Sequence, residues 1–272
     1  MTGLIWRQHR GQALWTVIAA AILCALVINF GLSAEHWLAG YHDWLRQLAA
    51  AGCPPPDAHS GDYHVGSPGT CAALKDRYPG GLQAAFASRY NFATFLSLYG
   101  MPAAFAVIGA MIGAPLIARE AEQRTQFVAW TQSVSRRRWY FVKITVLATG
   151  LAVLGLIAGV ANAWLQRPLT AGDTASSRWT WFASANLALA GEVVLAFALA
   201  VAFGALLLRT LPAMGAALAG FIALLVGIRW AVLALRPAGQ YWALQLILLA
   251  VLLAVAAAAL ASGWYETRTH AV

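Results

Sequence analysis

Six stretches of this chain are long and apolar enough to leave little choice of fold. Residues 11–34, 90–118, 144–166, 210–228 and 237–265 hold no charged side chain, and residues 179–208 hold only Glu192. A helix that crosses a bilayer needs about 20 mostly apolar residues, twice the length of a barrel strand. The backbone of each run must also satisfy its own hydrogen bonds, which a helix does within one segment. The expected fold is therefore all-α: a polytopic membrane protein with six spans near 12–33, 93–117, 142–165, 182–208, 211–235 and 240–263. Composition agrees. Of the 272 residues, 61% are apolar and only 10% charged, whereas soluble domains carry about 25% charged residues. No small-residue cleavage site follows the first run, so it is expected to remain as span one. Residues 1–272 are read as a single transmembrane domain.

An even number of spans puts both termini on one side, and Lys/Arg bias selects the side. With the termini inside, ten basic residues are cytoplasmic and seven external. Four of those seven lie in the long 34–92 segment, where the rule weakens, so the bias over short loops is ten to three. Both termini are expected in the cytoplasm. The net charge of +8 then reflects orientation rather than a nucleic-acid partner. All twelve tryptophans fall near span ends or in loops, as expected of indoles at the headgroup level. Arginine outnumbers lysine sixteen to two, which we read as the codon bias of a GC-rich genome.

Segment 34–92 is the one sizeable external piece. Trp37, Leu38, Tyr41, Trp44, Leu45 and Leu48 recur at helical spacing, so an amphipathic helix is expected there, lying on the outer leaflet or capping the bundle. A Pro/Gly/Asp-rich loop follows. Cys53 and Cys71 on the oxidising side are disulfide candidates; the alternative is two free thiols. The bond would close a loop of about 19 residues and contribute about 3 kcal/mol in the chain-entropy picture. Cys24, inside span one, reads as an inert apolar residue.

Catalytic signatures are missing. The two lysines, Lys75 and Lys143, are followed by Asp76 and Ile144, so no Gly-Lys-Ser/Thr phosphate loop exists. Neither a metalloprotease helix nor a nucleophile elbow occurs. His59, Asp62 and His64 stand close together, but their spacing is also that of a solvated turn. No enzyme and no metal site is expected. Glu192 is an intramembrane carboxylate, which costs about 2.5–3.5 kcal/mol on insertion scales and usually faces a cavity or a partner. It reads either as a translocation-path residue, with Arg229 as possible mate, or as a structural hydrogen-bonded Glu. Asn162 and Asn186 fit either arrangement. Gly109xxxGly113 and Gly155xxxGly159 allow close helix approach within one subunit.

Residues 115–143 join spans two and three and combine six basic with two acidic groups. A lipid-facing loop explains the arginines. It does not explain the neighbouring Glu120, Glu122, Thr125, Phe127 and Trp130, a mixture suited to docking on a protein. The stretch resembles the cytoplasmic loop of ABC-2-type transporter permeases, especially actinobacterial ones. It carries Gly113-Ala114-Pro115, then Ala118-Arg119-Glu120-Ala121-Glu122-Gln123-Arg124-Thr125, then Trp130-Thr131-Gln132-Ser133-Val134-Ser135-Arg136-Arg137-Arg138-Trp139 and Lys143. Leu208-Arg209-Thr210-Leu211-Pro212-Ala213-Met214, Leu235-Arg236-Pro237 and Trp6-Arg7-Gln8-His9-Arg10 are similar to further family segments.

The resemblance implies a permease that pairs with a second permease copy and two separate ATPase subunits, which bind ATP and Mg. Residues 117–141 would form the coupling loop, with Arg119, Glu120, Glu122, Arg124, Thr125, Phe127 and Trp130 as ATPase contacts. Residues 1–11 would form an interfacial helix. Arg7 and Arg10 on it, with Arg136, Arg137 and Arg138, would make a basic cluster at the inner leaflet. In the family, spans one and five build most of the dimer seam. The chain departs from the family between spans five and six, where about four residues replace a long loop or re-entrant pair, so the family's outer-gate residues do not transfer. The expected function is export of a hydrophobic or amphipathic cargo (drug, antibiotic, lipid or peptide) across the cell membrane of a GC-rich Gram-positive bacterium. The competing class is a non-transporting sensor or immunity protein that binds a peptide through 34–92.

Overall fold

The computed structural model describes residues 2–53, 71, 73, 74, 77, 89–122, 136–170, 181, 182, 184, 186–235 and 241–269. Among these, all regular structure is helical. Six helices run in chain order: α1 (Thr2–Ala50), α2 (Met101–Glu122), α3 (Arg136–Leu169), α4 (Leu187–Leu207), α5 (Thr210–Leu235) and α6 (Tyr241–Thr269). Each contains, or with its flanking turns completes, a segment long and apolar enough to cross a membrane, giving the six expected spans.

The first helix differs from expectation. Residues 1–11, span one and the amphipathic stretch were expected as separate elements, yet Thr2–Ala50 is one unbroken helix. At 1.5 Å per residue its 49 residues extend about 74 Å, well beyond the hydrocarbon thickness of about 30 Å. Its end is a Schellman cap. Gly52, at φ 67°, allows Cys53 N–H to donate to Leu48 O (2.9 Å) and Gly52 N–H to Ala49 O (3.1 Å). The aromatic face of 37–48 covers protein: Tyr41, Trp44, Leu48, Cys53 and Cys71 form a small buried core. Cys53 and Cys71 are joined in a disulfide with Cα atoms 5.7 Å apart. Trp44 Nε1 donates to Leu74 O at 2.6 Å.

The bundle is built around α4. It packs against α2, α3, α5 and α6, and Glu192 is buried within it. Small residues allow the approach. A Cβ on Gly109 would lie 2.9 Å from Val193 O, and one on Gly113 2.6 Å from Phe197 O. Gly155 meets Val193 and Ala190, and Gly159 abuts Asn186 O. Both glycine pairs therefore face the same helix of the same chain. In a membrane, backbone proximity of this kind replaces the hydrophobic drive that water would supply.

Candidate functional site

Two polar clusters, one at each end of the bundle, hold the chemistry. At the first end, residues 89–95 are helical and continue into a π-helical turn, Leu96–Gly100, before α2 begins. A π-turn widens the helix and disturbs its hydrogen-bond ladder, and such turns concentrate at functional places. Two of its carbonyls accept from side chains on other helices. Asn162 Nδ2 on α3 donates to Ser97 O at 3.0 Å, and Arg229 on α5 donates to Leu98 O at 2.5 Å. The Arg229 guanidinium also stands 5.1 Å from the centroid of the Tyr99 ring, a cation–π distance.

The same cluster fastens the chain that leads into α4. Asn162 Nδ2 also donates to Ser184 O (2.6 Å), and Gln166 Nε2 reaches Ser97 Oγ and Ser184 Oγ (both 3.2 Å). Gln245 on α6 donates to Phe182 O (2.7 Å) and accepts from Ala188 N–H (3.1 Å). Asn186 enters α4 at φ 51°, and its N–H donates to Gly159 O at 3.1 Å. Buried polar groups need such partners, because an unsatisfied one costs about 1–3 kcal/mol. Asn162 thus belongs to this anchoring network. Sequence reading missed the roles of Ser97, Gln166, Ser184 and Gln245. Their signal was present as polar residues close to span ends.

Glu192 and Arg229 do not form an ion pair. The one salt bridge among the described residues is Arg46 with Asp43 on α1. Arg229 is held by Leu98 and Tyr99 instead, which leaves its Nε and Glu192 Oε2 buried without a hydrogen-bond partner. Arg229, a possible mate of Glu192, thus gives its hydrogen bond to the π-turn carbonyl of Leu98.

At the opposite end, Glu122 closes α2 and reaches the start of α5. Its Oε1 accepts from Thr210 N–H at 2.8 Å, and its Oε2 lies 3.2 Å from Thr210 Oγ1. The first N–H groups of a helix lack internal partners, and its N-terminus favours negative charge, so the carboxylate caps α5. The α4–α5 link is tight. Leu208 takes a left-handed conformation (φ 52°), its N–H donates to Gly204 O, and α5 starts at Thr210. Pro212 falls in the first turn of α5, where a missing N–H is tolerated. The end of α2 and the start of α5, far apart in sequence, thus meet through one carboxylate.

Arg119 is exposed in the last turn of α2, and Arg138 is exposed near the start of α3. Glu120 lies on α2, Arg7 and Arg10 on α1, and Arg136 and Arg137 on α3; their side chains are outside the described set, as are residues Arg124, Thr125, Phe127 and Trp130 entirely. His59, Asp62 and His64 also lie outside the described residues.

No match to this chain was found among curated proteins or among solved structures. A family model described as ABC-2 membrane transporter related matches residues 56–233, which take in the π-turn, α2, α3, α4 and α5 as far as Leu233. With its six spans and with most of its length covered by that match, the chain belongs to the ABC-2-type transporter permease family and is a component of a membrane transporter.

Proposed function

We propose that the chain is the membrane subunit of an ATP-driven exporter at the cell membrane, working as a homodimer with two separate ATPase subunits. The path between the two copies would carry a hydrophobic or amphipathic cargo. ATP and Mg are bound by the ATPase subunits, and residues 117–135 dock on them. The observation that carries this reading is the Glu122–Thr210 cap. It ties the expected docking loop to the first residue of span five, so a push on the loop reaches that span directly. The termini, the docking loop and this cap then face the cytoplasm, and the π-turn cluster and the disulfide face outward. Glu192 serves as a path or gating carboxylate beside α5.

The test is charge reversal at Glu120 together with Glu122, in membranes and after purification in mild detergent. The expected outcome is a folded permease that releases its ATPase or loses cargo-stimulated ATP turnover. Unchanged co-purification with unchanged turnover rejects the coupling assignment. Glu192→Gln is expected to lower transport more than expression; full transport in that variant would make the residue structural.

A further inference from the structure

A groove of about 500 Å3 lies between α1 and α3. Ile28 and Leu32 of α1 and Ile157, Val160 and Trp164 of α3 line it, and Arg167 and Asn186 are its polar lining residues. Four of these apolar side chains remain between 44% and 57% exposed, so the groove is on an open flank rather than in the core. Its floor is set where Gly31 abuts the Trp164 ring. A larger residue at position 31 would push the two helices apart and erase the shape.

Arg167 makes this groove more than an apolar face. It sits in the last turn of α3, one turn beyond Trp164. It is exposed and forms no ion pair with any described acid. Tryptophan and arginine at a span end mark the headgroup depth, where an arginine meets phosphate through charge-assisted, often bidentate, hydrogen bonds. A cation next to an apolar furrow on a bilayer-facing flank matches a ligand with a phosphate at one end and a hydrocarbon chain at the other. An apolar helix of a second copy would fill the furrow but offer the Arg167 guanidinium no phosphate or other anion to bind.

We propose that this groove holds one phospholipid, with an acyl chain along the α1–α3 furrow and its phosphate on Arg167. The assignment is independent of the cargo. Among the helices, α1 packs chiefly on α3, so the lipid wedges the seam that holds span one to the bundle.

Native mass spectrometry of the intact protein in mild detergent, with dioleoyl phosphatidylglycerol added, tests this. The wild type is expected to keep one lipid mass per chain after detergent washing. Arg167→Gln and Val160→Trp, which remove the cation and fill the furrow, are each expected to lower that occupancy at least tenfold. Arg167→Lys is expected to keep a substantial part of it. Arg89→Gln removes an exposed arginine that does not line the groove and is expected to change nothing. Wild-type occupancy in Arg167→Gln, or no lipid retained by the wild type, overturns the proposal. So does a shift from dimer to monomer mass in Val160→Trp with lipid occupancy unchanged, which would make the groove a seam between copies.

Discussion

Spans four and five have the same mean hydropathy and opposite surroundings. In the apolar window of α4, 78% of residues are buried within the protein; in that of α5, 17% are. The helix α4 is held on its sides, where glycines on α2 and α3 bring backbone against backbone. The helix α5 is held near its two ends, by Glu122 on Thr210 and by the Leu98 carbonyl and Tyr99 ring on Arg229. Both of those fastenings come from span two. A helix gripped on all sides is a fixed axis, whereas α5 packs on α4 and α2 along one side only and is hydrogen-bonded near both ends to span two, which leaves it freer to tilt. Hydropathy measures the cost of leaving lipid for water. It is silent on whether the apolar neighbour is a lipid tail or another helix.

The largest effect should come from breaking the grip on α4. Gly113→Val places side-chain atoms against the Phe197 backbone, which cannot rotate away, and overpacking of this kind costs about 1–3 kcal/mol or more. Most of the folded yield on size exclusion should be lost. The counterpart on α5, Gly227→Leu, meets open space and should fold like the wild type. Equal loss in both would end the contrast between the two helices.

Next in size is the π-turn cluster. Asn162→Leu leaves Ser97 O and Ser184 O without their side-chain donor. At about 1–3 kcal/mol per unsatisfied buried group, the melting temperature in detergent should fall by several degrees. Arg229→Met frees only Leu98 O and retains the apolar stem, so its thermal shift should be smaller while transport falls. A variant with a normal melting curve and normal transport would show that α5 needs no fastening at that end.

The smallest stability effect is expected at the exposed cap. Glu122→Ala removes a helix N-terminal partner, a loss of about 1 kcal/mol. Its signature should instead be functional: ATP hydrolysis continues while cargo movement per ATP declines. Thr210→Val retains the backbone N–H that donates to Glu122 and loses the hydroxyl, so it should show a weaker form of the same uncoupling. If Glu122→Ala transports with wild-type stoichiometry, the link between loop and span five carries no force.

Much of this was legible in the order of residues. The six spans follow from charge-free runs, because each charge placed in hydrocarbon costs several times thermal energy. The Gly109/Gly113 and Gly155/Gly159 pairs announced close approach. Hydropathy did not announce that both meet α4, since the partners lie 27 or more residues away along the chain. The unbroken α1 was also hidden. Polar Ser33, Glu35 and His36 looked like the end of a span, yet they are ordinary helix residues once the helix leaves the bilayer, and the true stop awaits Gly52. The hydrogen-bond partner of Arg229, a possible mate of Glu192, was hidden for a related reason. A sequence exposes side-chain charges but not a carbonyl released by a π-turn, and Leu98 O is the acceptor that holds the arginine.

The sequence alone therefore determined that the chain crosses a membrane six times, where it does so, and which segments resemble a transporter's membrane subunit. Those properties are set by transfer free energy and local motif, summed residue by residue. Tertiary structure alone decided that α4 is the axis, that α5 is fastened at both ends to span two, and that Glu122 and Thr210, 88 residues apart, share a hydrogen bond. In a bilayer all six helices are equally content beside lipid. Which ones touch is settled by backbone proximity at glycines and by a few buried donors and acceptors that must find each other.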